Sequence, residues 1–204
     1  MTHSKQVLSQ YCDLLEEIKL RIDIVDQCLR APVFSPQFMY ELCFLQFRMI
    51  TETIALGCLV LHGDVPGARD KSIRKAYSAE EIVKRLAQLH PDFYPKPVVT
   101  LESATGEKDW HPIAEPFLTQ DELGRLWASC GDVLHRGTFM TAFERAPRSS
   151  DAVVEWRDKI VRLLNSHLIQ LIDDNSIQYV HMRDEKDGRV WIYPFTRTSE
   201  PDGN

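Results

Sequence analysis

The N-terminal segment carries the most regular pattern of apolar positions in the chain. Apolar side chains recur there at alternating intervals of three and four residues, at Leu8, Tyr11, Leu15, Ile18, Ile22, Val25 and Leu29. This spacing returns each of them to one stripe of a helix, so we predict an α-helix over residues 5–30. Pro32 ends it, because proline has no amide proton and disfavours helix in the residue before it.

A second long helix is predicted over residues 36–62. Ser35 supplies an N-cap and Pro36 the first helical position, while Gly63 reads as the stop. The short connection to the first helix favours an antiparallel hairpin. The second half of this helix is apolar nearly all round, which indicates burial on several sides by further helices.

Three further helices and a short β-hairpin complete the predicted elements. An S-x-x-E capping box opens a helix over 78–90, a T-x-x-E box opens one over 119–136, and an apolar periodicity predicts a third over 151–173. The segment from Pro95 to Pro116 is predicted to be an ordered connection between helices, with one short strand at Val98–Leu101. Two β-prone runs around Asp187-Gly188 predict a hairpin over 177–195.

The sequence therefore predicts a mainly α fold, a helical bundle built on a long antiparallel helix hairpin with a small C-terminal β-hairpin. Residues 1–198 are predicted to form a single helical domain, and residues 199–204 a frayed tail.

Charge and cysteine usage narrow the class of protein. The formal net charge of −6 disfavours broad nonspecific binding to nucleic acid but leaves room for a local basic pocket. Five cysteines without a CxxC pair indicate reduced thiols and a cytoplasmic protein. The most apolar window, residues 53–61, is about half the ~20 residues that a membrane span needs, so no membrane is predicted. No histidine, cysteine or carboxylate spacing indicates a metal, and no cofactor motif is present, so neither is predicted.

The first candidate for chemistry lies on the second helix. Glu41, Arg48 and Glu52 share one stripe of a helix that is otherwise mostly apolar, and Arg48 and Glu52 can pair across one turn. If the stripe is buried, an ion pair there costs desolvation and is seldom kept for stability alone. We then expect the pair to line a pocket or to fix the register of the helix. The alternative is an ordinary surface pair on a solvent-facing edge.

The second candidate is the end of the helix over 119–136. Gly124, Ala128 and Gly131 form a stripe of small residues, which predicts the close approach of a neighbouring backbone. His135 continues that stripe and is the predicted acid/base or ligand-contacting group. Asp132 can orient His135 or pair with Arg136. The alternative is a structural histidine that closes the helix end.

A third candidate is the stiff proline-rich segment over residues 90–97. Its Tyr94 and Lys96 could form one wall of a binding pocket. The alternative is that Phe93 and Tyr94 pin the loop to the core.

Three stretches, LQFRMITETIA at 45–55, DFYPKP at 92–97 and CGDVLH at 130–135, resemble a group of bacterial proteins without an assigned activity. A helix hairpin followed by a later helix that ends in histidine is similar to the HEPN superfamily of helical RNases, toxins and defence-associated domains. Arg85–His90 and Arg162–His167 match the R-x4-H spacing of that superfamily, with leucine where its members carry a polar residue.

Three functions follow from these candidates. The leading hypothesis is an HEPN-like binding or interaction module for RNA or protein, linked to stress or phage defence. Its pocket would contain Arg48, Glu52, Asp132, His135 and Arg136. The second is a metal-independent RNase in which His135 acts as acid/base and Arg48 or Arg136 stabilises phosphorane charge. The third is a structural homodimer that pairs through the Leu8–Leu29 seam. The first two require Arg48 and His135 to meet.

Overall fold

The computed structural model of the protein describes residues 5–63, 78–102, 108–135, 149–172 and 176–196. Within them, the helices are α1 (Lys5–Arg30), α2 (Pro36–Leu61), α3 (Ala79–Leu89), α4 (Gln120–Leu134) and α5 (Ser150–Leu164). The strands are β1 (Lys96–Glu102), β2 (Lys108–Pro112), β3 (Ser166–Gln170), β4 (Ser176–His181) and β5 (Trp191–Thr196).

The two long helices lie where the sequence pattern predicts them. The apolar seam of α1 faces α2, and its central side chains, from Tyr11 to Val25, are at most 6% exposed. Because the seam is buried within one chain, it is not a surface through which two chains could pair. The seam therefore gives no support to pairing between chains, and a homodimer stays a prediction.

Helix α2 is the central element of the fold and packs against α1, α3, α4 and α5. Of the helices in the described ranges, it is the one whose length and composition would allow it to cross a membrane. Most of its apolar stretch is nevertheless buried inside the protein, with Phe47, Ile50 and Ala55 fully enclosed. That burial is what the core helix of a soluble protein shows.

Capping chemistry sets the start of the next two helices. The Ser78 hydroxyl accepts the Glu81 amide at the start of α3. At α4 the Thr119 hydroxyl accepts the Glu122 amide while the Glu122 carboxylate accepts the Thr119 amide, which completes the predicted capping box. Both helices begin within one residue of the predicted position. Helix α4 ends at Leu134, with His135 as its C-cap, which is short of the predicted end at residue 136.

The mainly α fold class is wrong, because a five-stranded antiparallel sheet accompanies the helices. Its strand order is β2-β1-β3-β4-β5. The predicted short strand is the centre of β1, but β2 was not predicted at all. The predicted C-terminal hairpin is confirmed as the β4–β5 pair, with a left-handed Gly188 (φ 68°) in its turn. The β4–β5 hairpin is part of the five-stranded sheet, and β5 is one of its two edge strands.

The predicted helix over 151–173 is wrong in its second half. Helix α5 ends at Leu164, Asn165 caps it, and residues 166–170 form the central strand β3. Leu163, Leu164, Leu168 and Leu171 keep a helix-like spacing across this junction, so the apolar pattern does not reveal the break. The backbone of residues 166–170 instead bonds to β4, which follows after a short connection, and to β1, which is distant in sequence.

The two faces of the sheet differ in character. His167, Ile169 and Val180 are fully buried on the side that joins the core. On the other face partly exposed rings form a cross-strand cluster, in which Tyr179 stacks against Trp110 at 5.4 Å and Tyr193 at 6.0 Å between centroids. Such ring pairs across strands stabilise a sheet face without a covering helix.

Candidate functional site

Arg48 lies on α2 and makes three contacts, one within α2 and two with Trp127 on α4. Its Nε donates to Glu52 Oε1 at 2.6 Å, one helical turn along. Its guanidinium carbon lies 3.7 Å from the centre of the Trp127 ring, a cation–π stack, and Nη1 makes a long 3.5 Å contact with the Trp127 carbonyl oxygen. Its side chain is 25% exposed. The pair predicted from the spacing is thus present, and it is neither fully buried nor an ordinary surface pair.

Trp127 is the member of this cluster that the sequence analysis missed. Its indole Nε1 donates to the same Glu52 oxygen at 3.0 Å, so one carboxylate oxygen orients both the indole and the guanidinium. Trp127, Gly131 and His135 follow one another at intervals of four residues and so lie on one row of α4. That row was visible in the sequence as an aromatic, a glycine and a histidine on one face.

Gly131 brings the arginine and the histidine together. A Cβ at this position would stand 3.7 Å from Arg48 Nη1 and 4.0 Å from His135 Cδ2. The guanidinium and the imidazole therefore converge on one point above the glycine. His135 is exposed and caps α4, its amide bonding to the Gly131 carbonyl oxygen. The Arg48 guanidinium, from α2, and the His135 ring, at the end of α4, therefore border the same space beside Gly131.

The small residues of α4 admit side chains rather than the predicted backbone. At Gly124 a Cβ would stand 3.3 Å from Glu80 Cγ on α3, and at Gly131 the nearest atom belongs to the Arg48 side chain. A larger residue at 131 would occupy the space between the guanidinium and the imidazole. A Cβ at 131 would make only ordinary van der Waals contacts, so the arrangement accommodates alanine there and disfavours only larger side chains.

The guanidinium of Arg48 keeps unused hydrogen-bonding capacity. Arginine has five N–H donors. One is used by Glu52 and a second makes the long contact with the Trp127 carbonyl, and no other described residue accepts from the group. Stacking on the indole and the bond at Nε fix its plane, so the terminal nitrogens are oriented but available. Such an edge can bind a carboxylate or phosphate oxygen pair.

The thiol of Cys130 lies near this cluster but is not a nucleophile. The side chain is fully buried, and burial raises the pKa of its thiol to about 12. The nearby charge of Arg48 lowers this pKa, and that of Glu52 raises it. The thiol is protonated at neutral pH, and a thiol is a much weaker nucleophile than a thiolate. The polar chemistry here consequently belongs to the arginine, the carboxylate and the imidazole.

The remaining predicted site residues lie apart from this cluster. Asp132 is exposed and makes no hydrogen bond or ion pair with any residue in the described ranges, so it does not orient His135 there. Arg136 lies outside the described residues. Tyr94 is buried and donates its hydroxyl to the Leu118 carbonyl oxygen at 3.2 Å, and Lys96 pairs with Asp92 at 2.7 Å. Tyr94 and Lys96 do not join the arginine and the histidine, and Tyr94 pins its loop to the core.

A second polar cluster lies in the core, where α1, α2 and β3 meet. His167 is fully buried; its Nδ1 bonds to the Leu164 carbonyl oxygen at 2.9 Å and its Nε2 to the Tyr11 hydroxyl at 2.9 Å. His62 and His90 both bond to the carbonyl oxygen of Gln170. These groups hold the end of α2 and the loop after α3 against the sheet.

Within the described ranges, no three histidine, cysteine or carboxylate side chains are grouped so that they could hold a metal ion. Comparisons of the chain with protein-family models, with curated proteins and with solved structures find no match.

Proposed function

We propose that this protein is a binding module of the HEPN-like type, and that its site, formed by Arg48, Glu52, Trp127 and His135, binds a phosphate-bearing ligand. The observation that carries the proposal is the convergence of the Arg48 guanidinium and the His135 imidazole above Gly131. Phosphate is the oxyanion common to nucleotides and to RNA. The ligand is therefore a nucleotide, either free or within a short RNA segment.

The state of Arg48 supports an oxyanion ligand. Glu52 neutralises the charge of Arg48 but binds only its Nε edge. The opposite edge has two terminal nitrogens, and their fork geometry matches two phosphate oxygens. An imidazole beside it can add a third hydrogen bond. Ligand binding would require little reordering of side chains, because stacking on Trp127 already fixes the guanidinium.

The charge of the whole chain argues for a small ligand rather than a long nucleic acid. With a net charge of −6, the protein repels an extended phosphate backbone. One arginine and one histidine suffice for one or two phosphates. Five free thiols support the proposal that the protein acts in the cytoplasm, where thiols stay reduced. A role in bacterial stress or phage defence rests on the HEPN resemblance alone.

A second candidate function, a metal-independent RNase, uses the same convergence. The imidazole of His135 would take the proton of a ribose 2′-hydroxyl as that oxygen attacks phosphorus, and would return a proton to the departing 5′-oxygen. Arg48 would stabilise the charge that develops on the phosphorane. The exposure of His135 at the end of α4 favours access of an RNA strand to it.

The proposal is tested by titrating the protein with AMP and, in a separate arm, with a fluorescent single-stranded RNA eight nucleotides long. We expect Arg48→Gln to weaken binding about 30-fold, because it removes the charge-assisted contact. The matched control is Arg30→Gln on α1, which also removes an arginine from an i,i+4 pair, with Asp26, but lies 77% exposed and away from the site.

The two arms decide between the ligand sources, and failure in both refutes the module. Tight binding of RNA but not AMP assigns the RNA segment, and the reverse assigns the nucleotide. If neither binds the wild type, or if Arg48→Gln binds as well as Arg30→Gln, the proposal is wrong. The RNase alternative additionally requires that the wild type cleaves RNA and that folded His135→Ala does not.

A further inference from the structure

Two of the five cysteines face each other across the helix hairpin. Cys28 lies near the end of α1 and is partly buried, and Cys43 lies near the start of α2 and is 2% exposed. Their thiols share a side-chain hydrogen bond. Within the described ranges, the thiols of Cys12, Cys58 and Cys130 interact instead with charged side chains or with backbone.

The register of the two helices accounts for this contact. Because α1 and α2 run antiparallel, a contact recurs after equal steps forward along α1 and back along α2. A step of two heptads returns each helix to nearly the same face. A Cβ at Gly57 would lie 4.0 Å from Leu14 Cδ1. Cys28 follows Leu14 by fourteen residues and Cys43 precedes Gly57 by fourteen, so the packing of the helices sets the two thiols against each other.

The two thiols differ in their access to solvent. Burial, together with the neighbouring Cys28, raises the pKa of the Cys43 thiol to about 12, so this thiol is protonated at neutral pH. Cys28 is partly exposed, so an oxidant dissolved in water reaches it first. An accessible thiol beside a second thiol that can displace the oxidised group is typical of redox-sensing cysteines.

We propose that Cys28 and Cys43 form a redox pair, which a peroxide converts into a reversible disulfide between α1 and α2. First, the Cys28 thiolate attacks one peroxide oxygen, the O–O bond breaks, and the departing hydroxide takes up the thiol proton and leaves as water. The Cys43 sulfur then attacks the sulfur of the Cys28 sulfenic acid, and the S–O bond breaks. That hydroxide leaves as water with the Cys43 proton. The two thiols lose two electrons, and the peroxide is reduced to two waters.

The disulfide would cross-link the end of the hairpin that is least buried. Between the two cysteines, the apolar side chains of Val33, Phe34 and Phe38 are each more than half exposed. A cross-link here restricts the unfolded chain, so the oxidised protein should be more stable than the reduced one. This inference does not depend on the proposed ligand, because neither cysteine belongs to the Arg48 site.

Counting the thiols before and after oxidation tests the pair. The full chain is treated with a few equivalents of hydrogen peroxide, denatured in N-ethylmaleimide and weighed by mass spectrometry. We expect the wild type to fall from five blocked thiols by two, with a tryptic product that joins the peptides containing Cys28 and Cys43. Dithiothreitol should restore all five. The melting temperature should rise by roughly 6–12 °C on oxidation and fall back on reduction.

The variant Cys28→Ser should lose no thiol to a cross-link under the same treatment and should show no rise in melting temperature. The matched control is Cys12→Ser, because Cys12 is also partly buried on α1, and it should still lose two thiols. Circular dichroism confirms that each variant is folded.

A wild type that keeps five thiols overturns the inference. So does a cross-link between two chains or between any other two cysteines, or a Cys28→Ser variant that still loses two thiols. An oxidised protein that melts at the temperature of the reduced one overturns the stabilising effect of the cross-link. AMP and RNA binding are measured separately, so their failure would contradict the proposed function and leave the thiol count as it is.

Discussion

The polar site at Arg48 and the polar cluster at His167 differ in burial and in how many of their hydrogen-bonding groups have partners within the protein. His167 is fully buried and both of its ring nitrogens are bonded, one to the Leu164 carbonyl and one to the Tyr11 hydroxyl. Arg48 is partly exposed, and most of its five donors have no acceptor among the described residues. The hydrogen bonds of the His167 cluster are complete within the chain, whereas the Arg48 guanidinium is oriented but keeps unused donors.

The difference shows how a structural polar group can be distinguished from a binding one. A buried group must be satisfied inside the protein, because an unpaired donor or acceptor there costs about 1–3 kcal/mol. A group at a partly exposed site can be fixed on one side and left open on the other. Removing His167 should therefore affect folding, and removing Arg48 should affect binding. The following predictions test that separation.

The largest expected effect is on stability, from His167→Ala. The change leaves the Tyr11 hydroxyl and the Leu164 carbonyl without partners and opens a cavity, and we expect the free energy of unfolding to fall by about 4 kcal/mol. Urea unfolding followed by circular dichroism measures it. Where the variant still folds, AMP or RNA binding should match that of the wild type. A loss below about 1 kcal/mol would show that the core bonds contribute little.

The second prediction is a pH dependence of stability that originates from His167. Burial lowers the pKa of its imidazole from 6.5 to about 4, against the raising effect of the bond to the Leu164 carbonyl. As the pH falls from 6.5 to 4, the unfolded chain binds a proton that the folded chain does not. The free energy of unfolding contributed by this group is thus fully present above pH 6.5 and declines by at most about 3 kcal/mol towards pH 4.

The comparison for this prediction is His167→Gln, which can still donate to the Leu164 carbonyl and accept from Tyr11 but does not titrate. Urea unfolding at pH 7 and at pH 4.5 gives the loss of stability for each protein. We expect a smaller loss in the variant, since carboxylates contribute to both proteins alike. Equal losses would mean that His167 does not exclude a proton in the folded state.

Binding should respond to Arg48→Gln with a loss of about 30-fold, or roughly 2 kcal/mol. Stability should change by less than about 1 kcal/mol, because the ion pair with Glu52 is partly exposed. Fluorescence anisotropy and urea unfolding on the same preparation measure the two quantities. A variant that loses stability but keeps affinity would place Arg48 with His167 as a structural group.

The smallest effect is expected for Trp127→Phe. This change retains an aromatic face for the guanidinium but removes the indole donor to Glu52. We expect affinity to fall about fivefold, near 1 kcal/mol, since Arg48 loses part of its orientation and none of its own donors. The matched substitution Trp191→Phe on β5 should leave affinity unchanged. Equal affinity in Trp127→Phe and the wild type would remove Trp127 from the binding machinery.

Local periodicity was sufficient for the helices whose partners lie nearby. The alternating seam of α1 and the capping signals at Ser78 and Thr119 identified elements that the structure contains. Local periodicity was insufficient for the sheet, because β3 continues the leucine spacing of α5 and pairs with β1, far away in sequence, as well as with the neighbouring β4. A pattern read along one segment does not contain the backbone partners of another.

For the site, the sequence by itself determined which groups were available and which could share a helix face. The i,i+4 spacing made the Arg48–Glu52 pair possible, and glycine at 131 left room on the row that ends at His135. Only the tertiary structure decided that α2 and α4 pack with these rows facing, that Trp127 stacks on the guanidinium, and that Tyr94 and Lys96 lie elsewhere. The reason is physical: spacing fixes positions around one helix, whereas packing of the apolar core fixes which faces of different helices meet.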